Sequence, residues 1–126
     1  MLKWKIFRYK AVALSWLILM SILFVLPGSA IPKENWFDRI HVDKLAHIGL
    51  FAVLIFLWRS SFDWNINSYQ FVLLFLALLY GLLIEFIQLY WVPNRSFDFY
   101  DVLSDMIGSI VGLLVWLGVY KKNKPL

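Results

Sequence analysis

Cysteine is absent from this chain, so no disulfide and no thiolate metal site can form. Charge is scarce as well. Asp, Glu, Lys and Arg make up 16% of the 126 residues, against about 25% in a soluble domain. A soluble protein of this size has too much surface for its volume to hide a composition that is 62% hydrophobic. No polar domain with interleaved basic and aromatic residues is present, and no internal repeat. That removes nucleic-acid binding from the candidate functions. What remains is a chain whose natural solvent is lipid.

Four apolar runs are present: Ala11–Leu26, Leu45–Trp58, Phe71–Leu89 and Met106–Val119. The third covers about 28 Å as a helix, close to the thickness of a bilayer core. The first, extended through Tyr9 and Lys10, is also long enough. Its basic start and the Pro27-Gly28-Ser29-Ala30 that follows have the form of a cleavable leader. Three later runs already make the protein integral, so the reading here is a retained span. The second and fourth runs cover only about 21 Å each, so their helices must begin earlier and draw His47 and Asp105 to the membrane edge. Helices are therefore expected at about 9–27, 43–60, 69–90 and 99–120. The fold class is all-α, an integral membrane four-helix bundle forming a single domain over residues 1–126. Tyr90 and Trp91 close the third helix as interfacial anchors, and Pro93 ends it. Asp98 serves as an N-cap or first-turn acid for the fourth.

The charges orient this bundle. With both termini cytoplasmic, the inner segments carry eight cations (Lys3, Lys5, Arg8, Lys10, Arg59, Lys121, Lys122, Lys124) against Asp63, a net of +7. The outer segments carry four cations against seven acids, a net of −3.

On that outer side lie Asp43, Lys44, His47, Glu85, Gln88, Arg95, Asp98, Asp101 and Asp105, contributed by the second, third and fourth helices. Gly81, Glu85 and Gln88 share one helical face. Asp98, Asp101, Asp105, Gly108 and Gly112 share another. The two glycines form a small-xxx-small face for close helix contact, expected to carry Asp105 toward Glu85. Arg95, Asp98, Asp43, His47 and Gln88 each have plain structural readings as surface charge, cap or helix tie. Glu85 and Asp105 resist that reading best, because an acid costs about 2.5–3.5 kcal/mol at the centre of a membrane helix and less near its edge.

Three chemistries suit this set. The carboxylates and His47 offer oxygen and imidazole ligands to a divalent cation. The same groups offer general acid–base catalysis on a lipid headgroup, with Lys44 and Arg95 holding a phosphate or carboxylate. A locked polar network that builds a docking surface for a protein partner is the third. A transporter role is disfavoured, since no acid lies mid-membrane and no broken helix is visible.

Three elements carry a family resemblance: Asp43-Lys44-Leu-Ala-His47-Ile-Gly-Leu-Phe51, Gly81-x-x-x-Glu85-x-x-Gln88, and Arg95-Ser-Phe-Asp98-x-x-Asp101-x-x-x-Asp105-x-x-Gly108-x-x-x-Gly112. In this order, each at the outer end of its helix, they resemble the VanZ-like family of small bacterial membrane proteins. The likeness covers about residues 10–120. Asp105 departs from it, since the family usually carries Asn there. The resemblance implies a multi-pass protein of the bacterial cell membrane and envelope. It also implies a link to antibiotic resistance through a named member associated with lowered teicoplanin susceptibility.

Together these readings give an accessory envelope protein that binds or modifies a membrane lipid or a lipid-linked, amphiphilic ligand. Glu85 and Asp105 would be the central carboxylates, His47 the proton carrier or ligand, and Arg95 the anion clamp. Asp43, Lys44, Gln88, Asp98 and Asp101 would complete the ligand site, with a divalent cation as candidate cofactor. A non-catalytic interaction or assembly protein is the alternative.

Overall fold

A computed structural model describes residues 9–26, 36–62, 68–92 and 97–121, with the backbone alone at 36–43 and 120–121. The described residues are all-helical: α1 (Lys10–Phe24), α2 (Trp36–Ser61), α3 (Tyr69–Trp91) and α4 (Phe99–Trp116), which runs on into a π-helical turn, Leu117–Lys121. Segments within α2, α3 and α4 are long and apolar enough to cross a membrane: Lys44–Ser61, Tyr69–Trp91 and Phe99–Val119.

Two helices differ from the sequence expectation. α1 has 15 residues, about 22 Å. It closes in a turn in which the Val25 and Leu26 N–H groups donate to Ile22 O and Leu23 O. Pro27 follows, and the residue before a proline is disfavoured in helical conformation. α2 starts at Trp36, well before Asp43, so it carries 26 residues and extends past its apolar run. The mixed charges of residues 36–44 ride on helix, because no proline or glycine interrupts them.

α2 and α4 form the closest pair, and glycine is the cause. A Cβ on Gly108 would run into the Ile48 carbonyl oxygen, and one on Gly112 into that of Ala52. The two backbones are therefore in contact, as small residues permit between membrane helices. The partner of the glycine face is α2. Packed there, Asp105 meets His47 on α2. Asp105 also reaches α3 at Gly81, where an added Cβ would sit 2.6 Å from Asp105 Oδ2.

All four helices meet in one core of Met20, Phe24, Phe51, Leu54, Ile55, Tyr69, Leu73, Ala77, Ile84 and Leu113. Polar ties lie among these apolar groups. Trp16 Nε1–H donates to Leu50 O at 3.0 Å, and Ser21 Oγ lies 2.6 Å from the Tyr80 hydroxyl. At one end of the molecule Ser61 Oγ–H donates to Tyr9 O, and Arg59 lies over the rings of Tyr69 and Trp116 at 4.4 and 4.0 Å. At the other end, Phe24 stacks on His47 with ring centroids 4.7 Å apart. α1 is thus fastened at both ends. α1 and α3 run opposite to α2 and α4.

Candidate functional site

The α2–α4 seam sets the site. Along it Lys44 meets Asp101, His47 meets Asp105, and the Ile48 and Ala52 backbones meet Gly108 and Gly112. The i,i+3 pair on α2 and the i,i+4 pair on α4 lie face to face because the glycines below them remove every side chain from the contact. Asp98 caps α4. Its Oδ1 accepts the Tyr100 N–H at 2.9 Å, one of the donors a helix N-terminus leaves unsatisfied.

Lys44 Nζ donates to Asp98 Oδ2 and to Asp101 Oδ1, both at 2.5 Å. His47 Nδ1 lies 2.6 Å from Asp105 Oδ1, and His47 Nε2 lies 3.5 Å from Asp101 Oδ2. From α3, Glu85 Oε1 accepts the Asp98 backbone N–H at 2.9 Å. The polar groups thus make a chain from half-exposed Asp98, through Lys44 and Asp101, to His47 and Asp105. Exposure falls along it: the Asp98 side chain is 38% exposed, His47 2% and Asp105 1%. Glu85 is fully buried, and its Oε2 has no hydrogen-bond partner among the described residues. Burial alone would raise the Asp98 carboxyl, but the Lys44 ammonium and the Tyr100 N–H outweigh it and hold Asp98 below the ordinary aspartate range.

Of the residues singled out in the sequence, Lys44, His47, Glu85, Asp98, Asp101 and Asp105 come together here. Gln88 is engaged by α1. Its Nε2 donates to Phe24 O at 2.7 Å, tying α3 to the end of α1. Lys44 is engaged by two aspartates rather than held ready for an anion. The Asp43 side chain and all of Arg95 lie outside the described residues. One wall of the site has no signal in the sequence: Phe24, whose ring covers His47, is one phenylalanine among 11. Gly81, already marked by its spacing from Glu85, also shapes the site, because its missing side chain makes room for Asp105.

His47, Glu85 and Asp101 each offer one donor atom, and these three atoms lie within 4.8 Å of one another. All three residues are buried. This set could hold a divalent cation through one nitrogen and two carboxylate oxygens.

Apolar spanning helices around a buried acid–histidine network define a multi-pass membrane protein with an ionisable site near one end of its spans. The family is specific. The model for VanZ/LLP1 matches residues 4–120, nearly the whole chain, and the protein belongs to that family. No curated protein and no solved structure matches the chain.

Proposed function

We propose that the chain is a four-span envelope protein, with both termini cytoplasmic, that binds an amphiphilic, lipid-linked ligand at an outward-facing site between α2, α3 and α4. The observation that carries this reading is Glu85. A fully buried carboxylate oxygen without a hydrogen-bond partner, close to the end of a 23-residue apolar helix, is costly unless something completes it. Exposed Phe86, Tyr90, Trp91, Phe99 and Tyr100 surround this end, as aromatic side chains do at headgroup level. The orientation rests on the +7 inner and −3 outer charge of the segments. α1 counts as a span because it is fastened to Ser61 at one end and to His47 and Gln88 at the other.

In this reading Glu85 and Asp105 are the central carboxylates, and His47 carries a proton or a ligand. Arg95 meets the anionic part of the headgroup, since Lys44 is held by Asp98 and Asp101. An assembly role without a small ligand is the second reading. It is favoured by how much of the network is satisfied within the chain, from Lys44 through Asp101 to His47 and Asp105.

Native mass spectrometry on protein taken gently from membranes tests the two. Ligand binding predicts a co-purifying amphiphile with wild type that is reduced at least about tenfold, about 1.4 kcal/mol, in Glu85→Gln and Arg95→Gln at equal protein yield. Wild type free of amphiphile, or variants that retain it equally, would leave the assembly reading.

A further inference from the structure

We propose that His47, Glu85 and Asp101 form a binding site for a divalent cation of the zinc or manganese class, with Asp105 as the residue that positions the histidine. The proposal rests on the reading of this end of the protein as a ligand site, and it names what the site holds first.

Four observations converge. Donor atoms from the three residues already lie within 4.8 Å of one another, drawn from three different helices. Asp105 Oδ1 sits 2.6 Å from His47 Nδ1. A carboxylate there takes the Nδ1–H and leaves the lone pair on Nε2, the nitrogen on the Asp101 side. Metal-bound histidines are commonly oriented by this kind of carboxylate. Next, Nε2 and Asp101 Oδ2 are 3.5 Å apart. That is long for a hydrogen bond, but a tetrahedral ion with bonds of about 2.0–2.1 Å would hold two donors about 3.4 Å apart. Finally, Glu85 Oε2 is buried and has no hydrogen-bond partner among the described residues, whereas Oε1 is occupied by the Asp98 N–H.

The charges add a reason. Among the described residues, four carboxylates (Glu85, Asp98, Asp101 and Asp105) share this end with Lys44 and His47. Carboxylates by themselves do not attract an anionic headgroup. A divalent ion held by one imidazole and two carboxylates is neutralised by its protein ligands. It keeps at least one coordination position for a phosphate or carboxylate oxygen. The mixed nitrogen–oxygen donor set favours zinc or manganese over calcium, which prefers oxygen throughout. Lys44 has a supporting task here: by holding Asp101 Oδ1 it turns Oδ2 toward His47.

The experiment uses the full chain in phosphatidylcholine nanodiscs, stripped with chelator and titrated with Zn²⁺ alone. Bound metal is counted by mass spectrometry of the elements. One Zn²⁺ per chain is expected. Glu85→Gln and Asp101→Asn should each weaken it more than about 100-fold, and Asp105→Asn about 10–100-fold. Mn²⁺ loaded into wild type should show nitrogen coupling from one imidazole in pulsed electron paramagnetic resonance, a readout independent of how any variant folds. Substoichiometric Zn²⁺, equal affinity in Glu85→Gln of wild-type elution profile, or Mn²⁺ without nitrogen coupling overturns the proposal. The two readings fail separately. An amphiphile kept by chelated protein that binds no Zn²⁺ sinks the cation and spares the ligand site. Stoichiometric Zn²⁺ in protein that never carries an amphiphile does the reverse.

Discussion

The two ends of the molecule handle charge in opposite ways. Lys44 and Arg59 lie fifteen positions apart on α2, about 22 Å along its axis, and Asp101 and Trp116 mark the same interval on α4. At the Lys44 end the charges are mostly carboxylates, buried on the helix seam and connected to one another through a lysine and a histidine. At the Arg59 end a single guanidinium lies against the faces of Tyr69 and Trp116. Its delocalised charge is weakly hydrated and tolerates aromatic contact. Carboxylates have no such option, since ring faces carry negative potential. They need cations or N–H donors, which here include Lys44, His47 and the Asp98 and Tyr100 N–H groups. The Arg59 end thus meets its charge with ring faces, whereas at the other end Glu85 Oε2 has no hydrogen-bond partner among the described residues.

The largest way to break this contrast is to part the seam that supports the acidic end. Gly108→Leu puts a side chain where the Ile48 carbonyl already is. Overpacking typically costs about 1–3 kcal/mol when side chains can shift; here the obstacle is backbone, so the expected result is loss of the monodisperse species on gel filtration. A Gly108→Leu protein that elutes and melts like wild type would mean that α2 and α4 do not meet at these glycines. Next in size is Lys44→Met, which leaves Asp98 and Asp101 facing each other without their cation. Breaking a fully buried pair costs about 3–5 kcal/mol, but Lys44 is 20% exposed and Asp98 38%, so about 1–3 kcal/mol is expected. Adding Asp98→Asn should recover part of the thermal stability lost. A double variant no better than the single one would remove like-charge repulsion as the cause.

The legible parts of this molecule are those that lipid dictates. Apolar runs of bilayer length had to become helices, and acids beside them had to gather, because each alone is expensive. Neighbour identity was not legible. Spacing marks Gly108 and Gly112 as a contact face, yet nothing in it says whether α2 or α3 fills that face. The pairing of Asp105 with His47 follows from that choice. Gln88 shares a face with Glu85, yet its amide donates to Phe24 O on α1, a partner that spacing does not reveal. The stacking of Phe24 on His47 depends on where α1 ends, and an all-apolar helix carries no periodic signal for its orientation.

At the opposite end the effects are smaller. Arg59→Gln gives up two ring contacts and should cost about 1 kcal/mol, the scale of partly desolvated cation–π pairs. If its thermal shift in detergent matches or exceeds that of Lys44→Met, the ranking of the two ends is wrong.

The smallest effect belongs to the turn that feeds Tyr69 into this cage. Ser68 has φ 61° and ψ 38°, left-handed values, and its side chain makes no capping hydrogen bond. It is exposed. A non-glycine residue held in this region costs about 1–3 kcal/mol. Glycine removes that cost but loses more backbone entropy on folding, about 0.4–1 kcal/mol. Ser68→Gly should therefore be neutral to stabilising, by about 0.5–1 kcal/mol. A destabilised Ser68→Gly would mean that the side chain contributes more than its conformation costs. The Arg59 end would then depend on a polar contact at its entry turn, as the acidic end does at the Asp98 cap.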